Sequence, residues 1–279
     1  MTQTFLNQFV DAQWIAAHLS DPNVRLVEVD VSRATYDKGH ILGAVFWNAY
    51  TDLRHPDYHP ISAVEFESLL SRSGLTPDMT IVLYGYAHYL GFWLMKAYGH
   101  KHVRLMEGSR EGWQKAGHSL STETSTPTSS VYRLQANESE THPLQVEVQG
   151  MIDKPDTLIL DVRSQAEYNG DRFWPSGATA GAGRVGHIPG AVNVPIELLR
   201  TEDGDFRSRE EMQQVLREHG IVPERKIVSY CTIGNRASQA WFGLKYLLGY
   251  PNVQVYYGSW AEWGTQTETP IETSGSEDN

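Results

Sequence analysis

The stretch Lys226-Ile-Val-Ser-Tyr-Cys-Thr-Ile-Gly-Asn-Arg-Ala-Ser238 decides how this chain folds and where its chemistry lies. Ile227, Val228 and Tyr230 predict a strand running into Cys231, the sole cysteine of 279 residues. A short loop with Gly234 and Arg236 follows, then a helix-like stretch from Ser238 to Leu248. By itself a lone cysteine reads as a small buried hydrophobe. A thiol between a strand end and a helix N-terminus, with a guanidinium nearby, is instead placed to carry negative charge.

Outward from this unit, Leu158-Ile-Leu160, Ala191-Val-Asn-Val194 and Val253-Gln-Val-Tyr256 predict further strands. Arg209 to His219 and Ala237 to Leu248 predict helices, with apolar residues at three-to-four spacing (Met212, Val215, Leu216; Trp241, Leu244, Leu248). Gly249 and Pro251 end the second of these. Near-continuous apolar strands alternating with helices imply an α/β fold with a mostly parallel sheet covered by helices. In such sheets the site lies at the carboxyl ends of the strands, where Cys231 falls.

The same order of features occurs twice. Val24-Arg-Leu-Val-Glu-Val-Asp30, Tyr36 and Gly39-His-Ile-Leu-Gly-Ala44 match Asp156-Thr-Leu-Ile-Leu-Asp161, Tyr168 and Gly186-His-Ile-Pro-Gly-Ala191. Val103-Arg-Leu-Met-Glu-Gly-Ser109 with Trp113 matches Val253-Gln-Val-Tyr-Tyr-Gly-Ser259 with Trp263. Repeats of this length are two copies of one domain, not solenoid units. The expected organisation is a first domain over 1–117, a polar linker over 118–143 and a second domain over 144–279. The linker, centred on the Ser/Thr-rich run Ser119 to Ser130, is expected to bury no apolar face, and Thr265 to Asn279 to fray.

A hydrophobic content of 40% with 20% charged residues describes a globular chain, and no apolar run is long enough to span a membrane. Met1 to Gln8 lacks the basic and apolar regions of a secretory signal. One cysteine cannot form an internal disulfide, so a reducing, cytoplasmic setting is expected. A formal charge of −11 argues against nucleic acid or anionic membrane as partners. No Gly-rich phosphate motif is present, so no nucleotide cofactor is expected.

In the loop from Cys231 to Arg236, Thr232, Ile233, Gly234 and Asn235 are expected to turn backbone N–H groups toward the sulfur. Gly234 and Asn235 suit a tight curve, and Arg236 is expected to grip an oxyanion through both arms of its fork. Ser238 is placed to cap the helix or donate to the loop. Four residues separate Cys231 from Arg236, one fewer than in the Cys-x5-Arg loops that wrap phosphate. The shorter cradle fits a persulfide sulfur better, and no general acid is needed when sulfite is the leaving group.

With these motifs the chain resembles the tandem-domain rhodanese (thiosulfate sulfurtransferase) family over nearly its whole length. The resemblance rests on Asp161 and Arg163 after the strand, Gly186-His-Ile-Pro-Gly-Ala191, the cysteine loop and Gly258-Ser-Trp-Ala-Glu-Trp263. It implies that Cys231 takes sulfur from thiosulfate, or a similar anionic donor, and passes it to a thiophilic acceptor such as cyanide or a cellular thiol. It also implies an inactive amino-terminal copy. Two alternatives stand beside it: transfer from 3-mercaptopyruvate, and a non-enzymatic persulfide carrier. The chain departs from thiosulfate-type relatives in carrying Thr232-Ile233, not basic residues, after the cysteine. It has Glu167 where some of them have an arginine before the tyrosine. The Cys-Gly-Ser-Gly run of mercaptopyruvate-type relatives is also absent.

Aligning Ile81-Val-Leu-Tyr-Gly85 with Ile227-Val-Ser-Tyr-Cys231 puts Gly85 at the nucleophile's position, and the residues after it supply neither thiol nor arginine. His88 is not expected to substitute as nucleophile, and the first copy is expected to act as a structural partner. His40 and His187 are expected to make turn hydrogen bonds and not to bind metal. Asp161 and Arg163 are expected to tie loops together. The segment 169–185 has no counterpart in the first copy and reads as a surface loop. The family resemblance places its Arg172, Trp174 and Arg184 near the mouth of the site. Tryptophans such as Trp47, Trp93, Trp241 and Trp263 are expected to fill cores.

Overall fold

The computed structural model describes residues 8–134 and 142–273. Two compact units divide the chain, one taking Met1–Pro56 with Pro60–Glu140 and the other Asp57–His59 with Thr141–Asn279.

In the first unit the order is β1 (Phe9–Val10), α1 (Ala12–His18), β2 (Val24–Asp30), α2 (Arg33–Lys38), β3 (Val45–Asn48) and α3 (Ala63–Arg72). Then follow β4 (Thr80–Tyr84), α4 (His88–Ala97), β5 (Val103–Met106) and α5 (Ser109–Lys115). Its strands pair in the order β1-β5-β4-β2-β3, every pair parallel. The second unit runs α6 (Gln145–Gln149), β6 (Thr157–Asp161), α7 (Gln165–Asn169), β7 (Val192–Asn193), α8 (Arg209–Glu218), β8 (Lys226–Tyr230), α9 (Asn235–Phe242), β9 (Val253–Val255) and α10 (Ser259–Trp263). Its parallel sheet has the order β7-β6-β8-β9. The predicted α/β architecture of two helix-flanked parallel sheets is therefore the observed one.

The strands are parallel because neither face can meet water. All four residues from Ile227 to Tyr230 are buried, as is the whole of Thr157–Asp161. Two helices of the second unit begin where side chains satisfy their free N–H groups: Ser208 and Glu211 form a reciprocal capping box on α8, and Ser164 and Glu167 form another on α7. The duplication extends to single bonds. Tyr36 and Tyr168 each donate from the hydroxyl to an alanine carbonyl, Ala44 at 2.6 Å and Ala191 at 2.8 Å. The Ile41 and Ile188 N–H groups donate to the Tyr84 and Tyr230 hydroxyls at 3.1 and 3.2 Å. Trp47, Trp93, Trp241 and Trp263 are all core residues.

Three expectations need correction. The Ser/Thr-rich segment is anchored: Ser121 exchanges backbone bonds with His40, and Tyr132 is buried against His100. Leu120 packs on the first core, and Trp113 donates to the Ser119 carbonyl; residues 135–141 of the expected linker lie outside the described residues. The segment after Trp263 does not fray as far as Thr273: Glu272 exchanges backbone bonds with His187, Thr269 is 2% exposed, and Trp263 donates to the Pro270 carbonyl at 2.8 Å. Residues 274–279 of that expectation, and 1–7 of the N-terminus, lie outside the described residues. Lastly, the helix after the cysteine begins at Asn235, earlier than Ser238, and closes as a π-helical turn over Gly243–Leu247. Among the described residues no helix is long and apolar enough to cross a membrane.

Candidate active site

Cys231 follows the last residue of β8 directly and is 1% exposed. Its backbone is held from both sides. The Cys231 N–H donates to Ser259 Oγ at 3.2 Å, and Ser259 Oγ donates in turn to the Tyr256 carbonyl at 2.9 Å. The Trp260 and Ala261 N–H groups in the first turn of α10 donate to the carbonyls of Cys231 and Thr232 at 2.9 and 2.8 Å. This explains the Gly258-Ser-Trp run: the otherwise unpaired N–H groups of a helix start clamp the cysteine loop. Gly234 then turns the chain at φ 89°, a left-handed angle disfavoured for residues with a Cβ, and its N–H donates to Cys231 Sγ at 3.1 Å. Ser238 does not cap α9; it sits in the helix and donates to the Gly234 carbonyl at 2.9 Å, fixing the turn.

Of the loop residues expected to surround a substrate, Thr232, Gly234 and Asn235 are buried, while Ile233 and Arg236 are half-buried. Asn235 takes ordinary helical geometry as the first residue of α9, so the expectation that it relieves backbone strain is not met. The expectation of an open Arg236 fork is also corrected. Arg236 Nη1 and Nη2 donate to Glu167 Oε2 and Oε1, each at 2.8 Å, and Nη2 also donates to Thr232 Oγ1 at 2.7 Å. Thr232 Oγ1 donates to Glu167 Oε1 at 2.7 Å, and the Ser164 hydroxyl and N–H donate to Oε2 at 2.8 and 3.1 Å. The Glu167 side chain is 0% exposed and that of Arg236 16%. Sequence reasoning missed this clasp because its ends lie 69 residues apart. The one signal was the Ser164-x-x-Glu167 capping box, which fixes the glutamate's backbone but not its second partner.

Burial alone would push the Glu167 carboxyl up, but the bonds and charge of Arg236, with Thr232 and Ser164, outweigh it and hold it at about 2. For Arg236 burial opposes the cation; the Glu167 bonds, the Cys231 sulfur and the charges of Glu167 and Glu197 overcome it and keep the guanidinium charged. A carboxyl depressed in the folded state stabilises the fold above its ordinary value, and that contribution is lost as pH falls through the folded one. Denaturation midpoints should therefore drop as pH falls from the ordinary carboxylate value of 4.5 to about 2. The Glu167→Gln variant, measured over the same range, should lack that component; equal pH slopes would show that the clasp contributes nothing.

The other candidates are structural. Arg163, 0% exposed, donates to Asp161 through Nε and Nη2 (2.7 Å for the latter) and reaches the Gly186 carbonyl at 2.7 Å. The Tyr230 hydroxyl donates to Asp161 Oδ2 at 2.6 Å, and Trp260 lies against the guanidinium at 4.5 Å. His187 stacks on Tyr168 at 3.6 Å and bonds its carbonyl at 2.8 Å; His40 does the same with Tyr36 at 3.7 and 2.9 Å. Among the described residues no group of three His, Cys, Asp or Glu could hold a metal ion. In the 169–185 segment Arg184 donates to the Thr269 carbonyl at 2.9 Å, Trp174 to the Ala180 carbonyl at 2.8 Å and Arg172 to the Pro175 carbonyl at 3.1 Å. That segment is thus internally bonded and pinned to the chain beyond Trp263.

The first unit keeps the frame and lacks the thiol. The Gly85 N–H donates to Ser109 Oγ at 2.8 Å, as that of Cys231 does to Ser259. Ser109 and Ser259 share left-handed backbones, φ 50° and 55°. Gly85 itself has φ 100°, and a Cβ there would lie 2.7 Å from the Val29 carbonyl oxygen. The shape of this turn, and not only the missing thiol, excludes a cysteine.

The Rhodanese-like domain model matches twice, over residues 11–116 and 144–266. A Thermus thermophilus protein named sulfur carrier protein TtuD is 40% identical over 272 residues, 94% of this chain and 95% of that protein. A Haloferax volcanii protein, described provisionally as a thiosulfate sulfurtransferase, is 37% identical over 94% of this chain and 95% of its own length. Among solved structures, the anaerobic ergothioneine biosynthesis enzyme of Chlorobium limicola, in complex with trimethyl histidine, superposes with a TM-score of 0.85. It is 25% identical and is matched over 97% of this chain and 71% of that one. A structure of EanB with a cysteine persulfide and ergothioneine has a TM-score of 0.86 at 26% identity, over 98% of this chain and 72% of that one.

Proposed function

The chain belongs to the rhodanese-like family, whose members here are sulfurtransferases and sulfur carriers, and from that premise we propose that it transfers a sulfane sulfur through a persulfide on Cys231. The Cys231 thiolate attacks the outer sulfur of thiosulfate or a similar anionic donor. The donor's S–S bond breaks, sulfite leaves with the bonding pair, and the persulfide stays on Cys231 until a thiophilic acceptor, cyanide in an assay or a cellular thiol, removes the outer sulfur.

One observation carries this reading: the sole cysteine directly follows a buried strand, accepts an N–H from Gly234 at 3.1 Å, and lies four residues before the first residue of α9. That donor and the adjacent helix N-terminus stabilise negative charge on sulfur. Thr232, Ile233, Gly234 and Asn235 form the wall around the incoming sulfur, and Arg236 orders that wall while adding what field Glu167 leaves it. The first unit, with Gly85 at the nucleophile's place, is assigned no catalysis. The name of the Thermus thermophilus relative supports a second reading, in which the persulfide is handed to a protein and no small acceptor is turned over.

Intact mass after thiosulfate treatment tests the shared chemistry. A gain of one sulfur atom, removed by cyanide, is the expected result, and no adduct would sink the proposal. Steady-state rates with cyanide, and with 3-mercaptopyruvate as the competing donor, separate the enzyme from the carrier and one donor from the other.

A further inference from the structure

The geometry points to Glu167 as the residue that sets donor charge: by occupying both arms of the Arg236 fork it selects singly charged or uncharged sulfane donors over the thiosulfate dianion. This rests on the Cys231 persulfide chemistry proposed above and names its substrate class.

Arg236 is the only cation within the loop that runs from the nucleophile into α9. Two parallel N–H donors facing one carboxylate is the arrangement a guanidinium would use for a sulfonate, and Glu167 already has it, at 2.8 Å on each arm. The carboxylate cannot swing aside cheaply. It also accepts from Thr232 and from both the hydroxyl and the N–H of Ser164, with no exposed surface. A sulfonate taking that two-armed place on Arg236 must displace the carboxylate and the five hydrogen bonds it accepts. The pair is close to neutral, and beyond it the charges acting on Arg236 are the Cys231 sulfur and the exposed carboxylate of Glu197, both negative, on a chain of formal charge −11. Arg236 therefore adds little net attraction for a dianion at the sulfur, and a donor with less charge meets less repulsion from the chain.

The thiosulfonate reaction has the same reacting bond with one charge fewer. The Cys231 thiolate attacks the outer sulfur of methanethiosulfonate, methanesulfinate leaves with the bonding pair, and the same persulfide remains. Cyanide then takes the outer sulfur as thiocyanate and restores the thiolate. No redox partner enters.

The test measures kcat/KM for thiosulfate and for methanethiosulfonate, with cyanide as acceptor, across a range of ionic strength in the full chain. In the wild type the thiosulfate value should rise with salt, and rise more steeply than the methanethiosulfonate value. In Glu167→Gln the thiosulfate value should gain about tenfold on the methanethiosulfonate value, the size expected for one charge removed beside a half-buried site, and its salt slope should turn negative. A wild-type thiosulfate value that falls with salt, as an open guanidinium would give, overturns the inference without any variant. A Glu167→Gln enzyme that changes both donors by one common factor also overturns it, by reducing Glu167 to a structural clasp. Both of those outcomes leave the persulfide chemistry standing. A wild type that takes sulfur from neither donor removes that chemistry, and this inference with it.

Discussion

Cys231→Ser should take up no sulfur at all and lose at least about a thousandfold in thiosulfate:cyanide turnover, because a serine hydroxyl is not ionised near neutrality and forms no persulfide. The chain has one cysteine, so no second thiol can substitute, and the mass of the treated variant should stay unchanged. The fold should survive. The loop is clamped through the Cys231 N–H to Ser259 and through its carbonyl from Trp260, and neither bond uses the side chain. The one contact that changes is the Gly234 N–H, which a serine oxygen can accept as readily as sulfur. Circular dichroism and the thermal transition should therefore match the wild type while activity vanishes. Retained turnover in a folded Cys231→Ser protein would overturn the assignment of the nucleophile.

The parallel sheets and the position of Cys231 were legible because both depend on contiguous sequence. A run such as Ile227 to Tyr230 has no polar face to offer solvent, and a loop with glycine after such a run opens at the strand's carboxyl end. What could not be read is what depends on pairing across the chain. Arg236 announces a charge beside the thiol, but its partner sits 69 residues earlier in a helix turn, where Glu167 looked only like a departure from relatives. The start of α9 was misplaced for a related reason: Gly234 in a left-handed turn begins the helix at once, whereas Ser238 resembles a cap while bonding inward. The anchoring of Thr269 and Glu272 was hidden by composition, since polar residues can be fixed by backbone bonds as firmly as apolar ones by burial.

The largest effect on the fold is expected from Asp161→Ala. The register pairs Asp161 with Tyr230 in one unit and Glu28 with Tyr84 in the other, so both units place an acid beside the tyrosine that precedes the nucleophile position. The cations differ. In the second unit it is Arg163, two residues after the acid; in the first it is Arg110, whose matching position in the second is Trp260. A buried acid thus keeps a cation whichever element supplies it, fully buried in the second unit and half-buried in the first. Removing Asp161 strands a guanidinium that is 0% exposed, held otherwise by the Gly186 carbonyl and the faces of Trp260 and Tyr230. An uncompensated buried charge of this kind costs about 3–5 kcal/mol. Because the Tyr230 hydroxyl loses its acceptor at the same time, the damage should centre on β6, β8 and the Gly186 turn. Hydrogen exchange should show it there as lost amide protection, with β2 and β4 of the other unit unaffected. The double variant Asp161→Ala/Arg163→Met should regain much of the loss, since it removes the stranded charge along with its partner. Asp161→Ala with protection of β6 and β8 unchanged, or a double variant less stable than the single one, would show that the pair is not what holds these loops together.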